Sequence, residues 1–120
     1  MKFSILQIDH VQVAAPADKE AAAREFYADI LGMMEIEKPE PLKRRGGVWF
    51  QFGEQQLHVG VEEPFSPAKK AHPAFRVSGY DELKDYLAAA DIIVKEDDSI
   101  TGVERFFVSD PFGNRLEFLK

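Results

Sequence analysis

Residues 72–90, HPAFRVSGYDELKDYLAAA, decide the fold, because they restate the order in which the chain begins. HPAFRV reads as a strand, with Phe75 and Val77 on one face and His72, Ala74 and Arg76 on the other. Ser78-Gly79 interrupts it, and DELKDYLAAA over 81–90 lines up Leu83, Tyr86, Leu87 and Ala90 on one side of a helix. Strands follow at about Ile92–Glu96, Glu104–Ser109 (ERFFVS) and Arg115–Leu119 (RLEFL). DPFGN joins the last two: Pro111 suits the first corner of a turn, while Gly113 and Asn114 tolerate positive φ.

Working back, the first half has the same order. ILQIDHVQV (5–13) alternates as a strand, with Val11 and Val13 inward and His10 and Gln12 outward. ADKEAAAREFYADIL (17–31) is rich in helix formers, and Ala22, Ala23, Phe26, Ile30 and Leu31 make its apolar stripe; Gly32 then closes it. Strands are expected near Met33–Glu37, at Gly47–Phe52 (GVWFQF) and at Gln56–Glu62 (QLHVGVE), separated by KPEPLKRRG and GEQ. EPFSPAKKA (63–71) has two prolines and no period, and reads as a connector. The expectation is one α+β domain over 1–120, with module one at about 1–62 and module two at 72–120, each βαβββ.

Composition narrows the function. The chain has 120 residues, 45% apolar and 30% charged, as in a single globular domain. No window approaches the roughly 18 apolar residues of a membrane span. Gln7, Asp9 and His10 interrupt what would be the apolar core of a signal peptide, so no targeting signal is read and a cytoplasmic location is expected. The absence of cysteine excludes disulfides, thiolate metal sites and Cys nucleophiles. A net charge of −6, from 21 acidic and 15 basic residues, opposes binding to a phosphate backbone, and Gly46-Gly47 alone makes no phosphate loop. A small-molecule ligand is expected, with neither nucleic acid nor membrane as partner.

Strand parity then sorts core from cleft. Leu57, Val59 and Val61 form one row of their strand and leave His58 on the other face; Leu116 and Phe118 do the same for Glu117. All three histidines and one glutamate therefore fall on the unpacked side of four different strands. The separations agree, 48 residues from His10 to His58 and 45 from His72 to Glu117, each from the first to the last strand of a module. A lone strand histidine is commonly a polar surface residue and a lone strand glutamate a solvated acid. Their joint placement at repeat-related positions instead suits a divalent metal, because imidazole and carboxylate serve Zn, Ni, Co, Mn and Fe alike. Trp49 and Gln51 alternate with Val48, Phe50 and Phe52, and Phe107 alternates with Phe106 and Val108, giving either an aromatic wall for a substrate or a dimer seam. Arg76 and Arg105 share the open face and suit an anionic group; the run Lys43, Arg44, Arg45 suits an anion or a solvated loop. Tyr27 and Tyr80 read as packing residues.

The two halves, the segments FYADILGM (26–33) and DPFGNRLEFL (110–119), and the four polar positions resemble the vicinal oxygen chelate superfamily. It includes glyoxalase I, bleomycin-resistance proteins, fosfomycin-resistance thiol transferases, methylmalonyl-CoA epimerase and extradiol dioxygenases. The resemblance spans the whole chain and implies that the sheets form an open, incomplete β-barrel with helices outside, in a homodimer. It also implies a metal held from the first and last strand of each module, at positions matching His10, His58, His72 and Glu117. Glyoxalase I has a glutamate, and the epimerase a glutamine, where this chain has His58. The implied activity is a metal-dependent, glyoxalase-like lyase or isomerase acting on a small substrate with vicinal oxygens, Glu117 serving as ligand and base; the substrate contacts expected from strand parity are Trp49, Gln51, Arg76, Arg105 and Phe107. Alternatives are an extradiol-type dioxygenase using His10, His72 and Glu117, and a metal-free, bleomycin-resistance-like binding protein.

Overall fold

The computed structural model describes all 120 residues, in two compact units, Met1–Phe65 and Ser66–Lys120. Unit one runs β1 (His10–Ala15), α1 (Glu20–Ala23) continued by a π-helical stretch (Arg24–Ile30), β2 (Met34–Ile36), a 3₁₀ helix (Glu40–Arg45), β3 (Val48–Phe52) and β4 (Gln55–Val61). Unit two runs β5 (Ala74–Arg76), α2 (Tyr80–Ala89), β6 (Lys95–Asp97), β7 (Arg105–Ser109) and β8 (Arg115–Leu119). The sheets have the orders β1-β4-β3-β2 and β5-β8-β7-β6, with β1 parallel to β4, β5 parallel to β8 and all other pairs antiparallel. Each module is therefore βαβββ, the fold class is α+β, and neither sheet closes on itself. No helix is long and apolar enough to cross a membrane.

One face of each sheet is packed by its helix. In unit one Tyr27, Phe50 and Leu57 are fully buried, with the Tyr27 and Phe50 rings 5.6 Å apart. In unit two Leu87, Phe106 and Leu116 are fully buried, and Tyr80 lies 5.2 Å from Phe106. Each such side chain contributes about 1.5–3 kcal/mol of burial free energy, so these faces fix the strand register.

Several elements depart from the sequence expectation for identifiable reasons. The strand expected at 5–13 is ordered as β1 only from His10, because its partner β4 pairs first at His10↔Gln56; residues 5–9 have no strand beside them. The strand expected at 72–77 shortens to Ala74–Arg76, since Pro73 has no N–H to give, although its carbonyl accepts from Glu117 N–H at 3.1 Å. The first helix widens: Leu31 N–H bonds Phe26 O and Met33 N–H bonds Tyr27 O, both at 2.9 Å. That wider turn lets the neighbouring Phe26 and Tyr27 both reach the core. Tyr86, expected on the apolar side of α2, is half exposed, and Tyr80 is buried instead. The basic run expected in a loop belongs to the 3₁₀ helix, with Lys43 2.7 Å from Glu37. In the DPFGN turn only Gly113 has positive φ; Asn114 is held by Asp110, whose carboxylate accepts from the N–H of Phe112 and from the N–H and Nδ2 of Asn114 at 2.8–2.9 Å.

Candidate metal centre

The strand registers make the repeat explicit. Gln12, His58 and Trp49 stand abreast across β1, β4 and β3, with His10 two residues before Gln12. In unit two Ala74, Glu117 and Phe107 stand abreast across β5, β8 and β7, with His72 two residues before Ala74. His10 therefore corresponds to His72, His58 to Glu117, and Trp49 to Phe107. Side chains opposite one another share a face, so each set lies on the side away from its helix.

In unit one the His58 ring is sandwiched, its centroid 3.7 Å from the Trp49 indole and 4.1 Å from the His10 ring, with planes within 15° of parallel. It is only 3% exposed, where the sequence reading placed it on an open face. Burial, and then the adjacent His10, push its pKa down from 6.5 to about 4, so His58 is neutral at pH 7. Gln56 Oε1 accepts from its Nε2 at 2.8 Å, which leaves Nδ1 with the lone pair. His10 is about half exposed, and its Nδ1 is paired with Asp9 Oδ2 at 2.9 Å.

In unit two His72 donates from Nδ1 to the Lys70 carbonyl at 2.8 Å, and its Nε2 lies 2.8 Å from Glu117 Oε1. With Nδ1 protonated, two lone-pair atoms face each other across that gap, and such a contact holds either a further proton or a cation. Arg105 lies 3.3 Å from the other oxygen of the 5%-exposed Glu117 and 3.5 Å from Asp97. Phe107 is buried between Arg105 and Arg115, whose guanidinium carbons stand 5.2 and 4.1 Å from its centroid.

The donors fit a metal in one specific respect. A histidine ligand ordinarily gives its second ring nitrogen to a carboxylate or carbonyl, which fixes the ring. All three imidazoles have that arrangement, with Asp9, Gln56 and the Lys70 carbonyl as the fixing partners. Ligands about 2.1 Å from one ion stand roughly 3.0–3.4 Å apart, so the His72–Glu117 pair needs to open by only a few tenths of an ångström. The structure gathers no group of three or more His, Asp or Glu donors, so the four residues expected around one metal appear as two pairs. Unit one offers two nitrogens; unit two offers a nitrogen and an oxygen.

Of the other residues singled out from sequence, Trp49, Arg105 and Phe107 touch these pairs. Gln51 instead bonds the Gly53 carbonyl at 3.2 Å, and Arg76 the Lys120 carbonyl at 2.7 Å. Sequence reading missed Asp9, Gln56 and Arg115. For Gln56 and Arg115 the signal was present, since each stands two residues before a candidate ligand on the same strand face; for Asp9 only adjacency to His10 could have pointed to it.

No curated protein matches the sequence. Among solved structures, a glyoxalase family protein from Bacillus anthracis is 55% identical, with TM-score 0.96 over 99% of this chain and 98% of that one. The glyoxalase family protein from Enterococcus faecalis is 26% identical, with TM-score 0.76 over 95% and 97%. A lactoylglutathione lyase from Agrobacterium tumefaciens, 24% identical with TM-score 0.74 over 94% and 92%, shares the fold. The family model for the Glyoxalase/Bleomycin resistance protein/Dioxygenase superfamily matches residues 7–118, nearly the whole sequence. This chain belongs to that superfamily.

Proposed function

We propose that the protein is a metal-dependent, glyoxalase-like lyase or isomerase acting on a small substrate with vicinal oxygens. His10, His58, His72 and Glu117 would hold one divalent ion, Zn, Ni, Co, Mn or Fe, per two modules. The observation that carries this reading is the fixing of all three imidazoles by acceptors at 2.8–2.9 Å, with His72 Nε2 turned to the Glu117 carboxylate. A metal there supplies Lewis-acid polarisation of the substrate oxygens. Glu117 removes a proton from the carbon beside a carbonyl and returns it to the neighbouring carbon. Arg105 holds the second carboxylate oxygen and so orients the base. Trp49 and Phe107 wall the site against water, while Arg105 and Arg115 favour an anionic substrate; Gln51 and Arg76 are assigned to its periphery.

Elemental analysis of purified protein tests the metal. About one ion per chain is expected, falling sharply in the His72→Ala variant; full occupancy in a His10→Ala/His72→Ala double variant refutes the ligand set.

One observation favours a second reading. His58 is buried between two rings, and if it stays there, His10, His72 and Glu117 make the two-histidine, one-carboxylate set of oxygen-activating iron enzymes. Oxygen uptake on catechols, with no solvent-deuterium exchange into 2-oxoaldehyde adducts or acyl thioesters, selects this dioxygenase.

A further inference from the structure

Arg115 opens β8 on the strand face that also carries Glu117, two residues further along. It is partly buried, and its guanidinium carbon stands 4.1 Å over the centroid of the buried Phe107 ring. Contact through the π face fixes the guanidinium in place while using none of its N–H donors as hydrogen bonds. No carboxylate takes them either, although the chain has 21 acidic residues. The acids beside it in sequence are both engaged elsewhere. Asp110 holds its own turn through Phe112 N–H, Asn114 N–H and Asn114 Nδ2 at 2.8–2.9 Å. Glu117 is held by His72 at 2.8 Å and by Arg105 at 3.3 Å. Directly across from Arg115 on β7 stands Ser109, small and exposed, where an ion-pair partner would otherwise sit. The arginines that sequence reading assigned to an anion are already occupied, Arg105 by Glu117 and Asp97, and Arg76 by the Lys120 carbonyl.

We propose that Arg115 determines substrate specificity by binding a carboxylate of the substrate through its paired N–H groups, with the Ser109 hydroxyl as a second donor. The inference rests on the proposed role of Glu117 as base and adds the substrate class, a small compound bearing a carboxylate. The planar guanidinium fork matches a planar carboxylate in two parallel hydrogen bonds. Two residues along a strand stand roughly 6.6 Å apart. The carboxylate on Arg115 and the carbon that Glu117 deprotonates therefore fit within one short molecule, a few bonds from each other. A phosphate dianion is the poorer match, because Glu117 shares the face and the chain carries a net charge of −6. Covering Phe107 alone would not call for a cation, since the stem of a methionine covers a ring as well.

Arginine Nε–H and backbone amide NMR of the full chain at constant ionic strength tests the site with propionate, propionamide and inorganic phosphate. Propionate should shift Arg115 Nε–H and the Ser109 amide along one saturable curve, and propionamide should shift neither. Arg115→Met, which keeps an apolar cover on Phe107, should weaken propionate binding at least about tenfold at the Ser109 amide. Arg115→Lys keeps the cation over the ring and guards against a folding defect; losing the fork, it should bind about threefold weaker or worse. In turnover, paired substrates differing only in a carboxylate or its amide should be separated at least about tenfold in kcat/KM by wild type, and Arg115→Met should lose that preference. An absent propionate shift, an equal shift with propionamide, tighter binding of phosphate, unchanged affinity in Arg115→Met, or equal kcat/KM for the paired substrates overturns the proposal. Absence of turnover on either substrate refutes the proposed reaction instead, and the propionate titration then decides Arg115 by itself.

Discussion

Replacing His58 by Phe should flatten the acid side of the protein's stability profile. In the folded protein the imidazole is buried between Trp49 and His10 and titrates at about 4, whereas in the unfolded chain it returns to 6.5. Above pH 6.5 both states are neutral and the residue adds no pH dependence. Between 6.5 and about 4 only the unfolded chain takes the proton, so stability falls as pH falls, and below about 4 the loss is complete. At about 1.4 kcal/mol per pH unit, the gap amounts to about 3 kcal/mol. Phe keeps a planar ring in the stack and has no proton to take up, at the cost of the hydrogen bond to Gln56. The assay is urea unfolding of chelator-treated protein at half-unit steps from pH 7.5 to 4.5, with both proteins measured in parallel so that the carboxylates cancel. Wild type should lose stability relative to His58→Phe by about 1.4 kcal/mol per unit below pH 6.5. Parallel curves for the two proteins would refute the assignment of a buried neutral imidazole.

Glu117→Gln should lower turnover by roughly two to four orders of magnitude while reducing metal content much less, because the amide keeps an oxygen donor but loses the base; steady-state rates and elemental analysis on the same preparation check this. Asp110→Ala strands three donors around the 110–114 turn and should cost about 2–4 kcal/mol in chemical denaturation. Gly47→Ala should cost about 3 kcal/mol or more, since its Cβ would stand 2.2 Å from the Val59 carbonyl at φ +85. Gly53→Ala, at φ +54 with open space around it, should cost about 1 kcal/mol.

The order of elements was legible because apolar periodicity records which face of each strand meets a helix. The pairing of His10 with His58 and of His72 with Glu117 was legible for the same reason, through parity and repeat spacing. What parity does not encode is how far a residue on the unpacked face is covered by its neighbours. His58 and Glu117 share that face with exposed residues, yet lie beneath Trp49 and His10 in one case and beside Arg105, Phe107 and His72 in the other. The π-helical turn was hidden because Ala22, Ala23, Phe26, Ile30 and Leu31 already fit α-helical spacing without Tyr27, whose burial beside Phe26 the wider turn accommodates. Residues 5–9 have the alternation of a strand, and what ends β1 at His10 is the length of its partner rather than anything in its own sequence.

The ring stack in unit one also makes the site optically self-reporting. Trp49 is the only tryptophan in the chain, so all of its indole emission comes from a ring in van der Waals contact with a proposed metal ligand. Anything that charges, coordinates or turns the His58 imidazole changes that fluorophore's immediate surroundings, with no second tryptophan to dilute the signal. Emission intensity thus follows the chemistry of one side chain, and a titration with a metal or a ligand can be read in the native protein without a label.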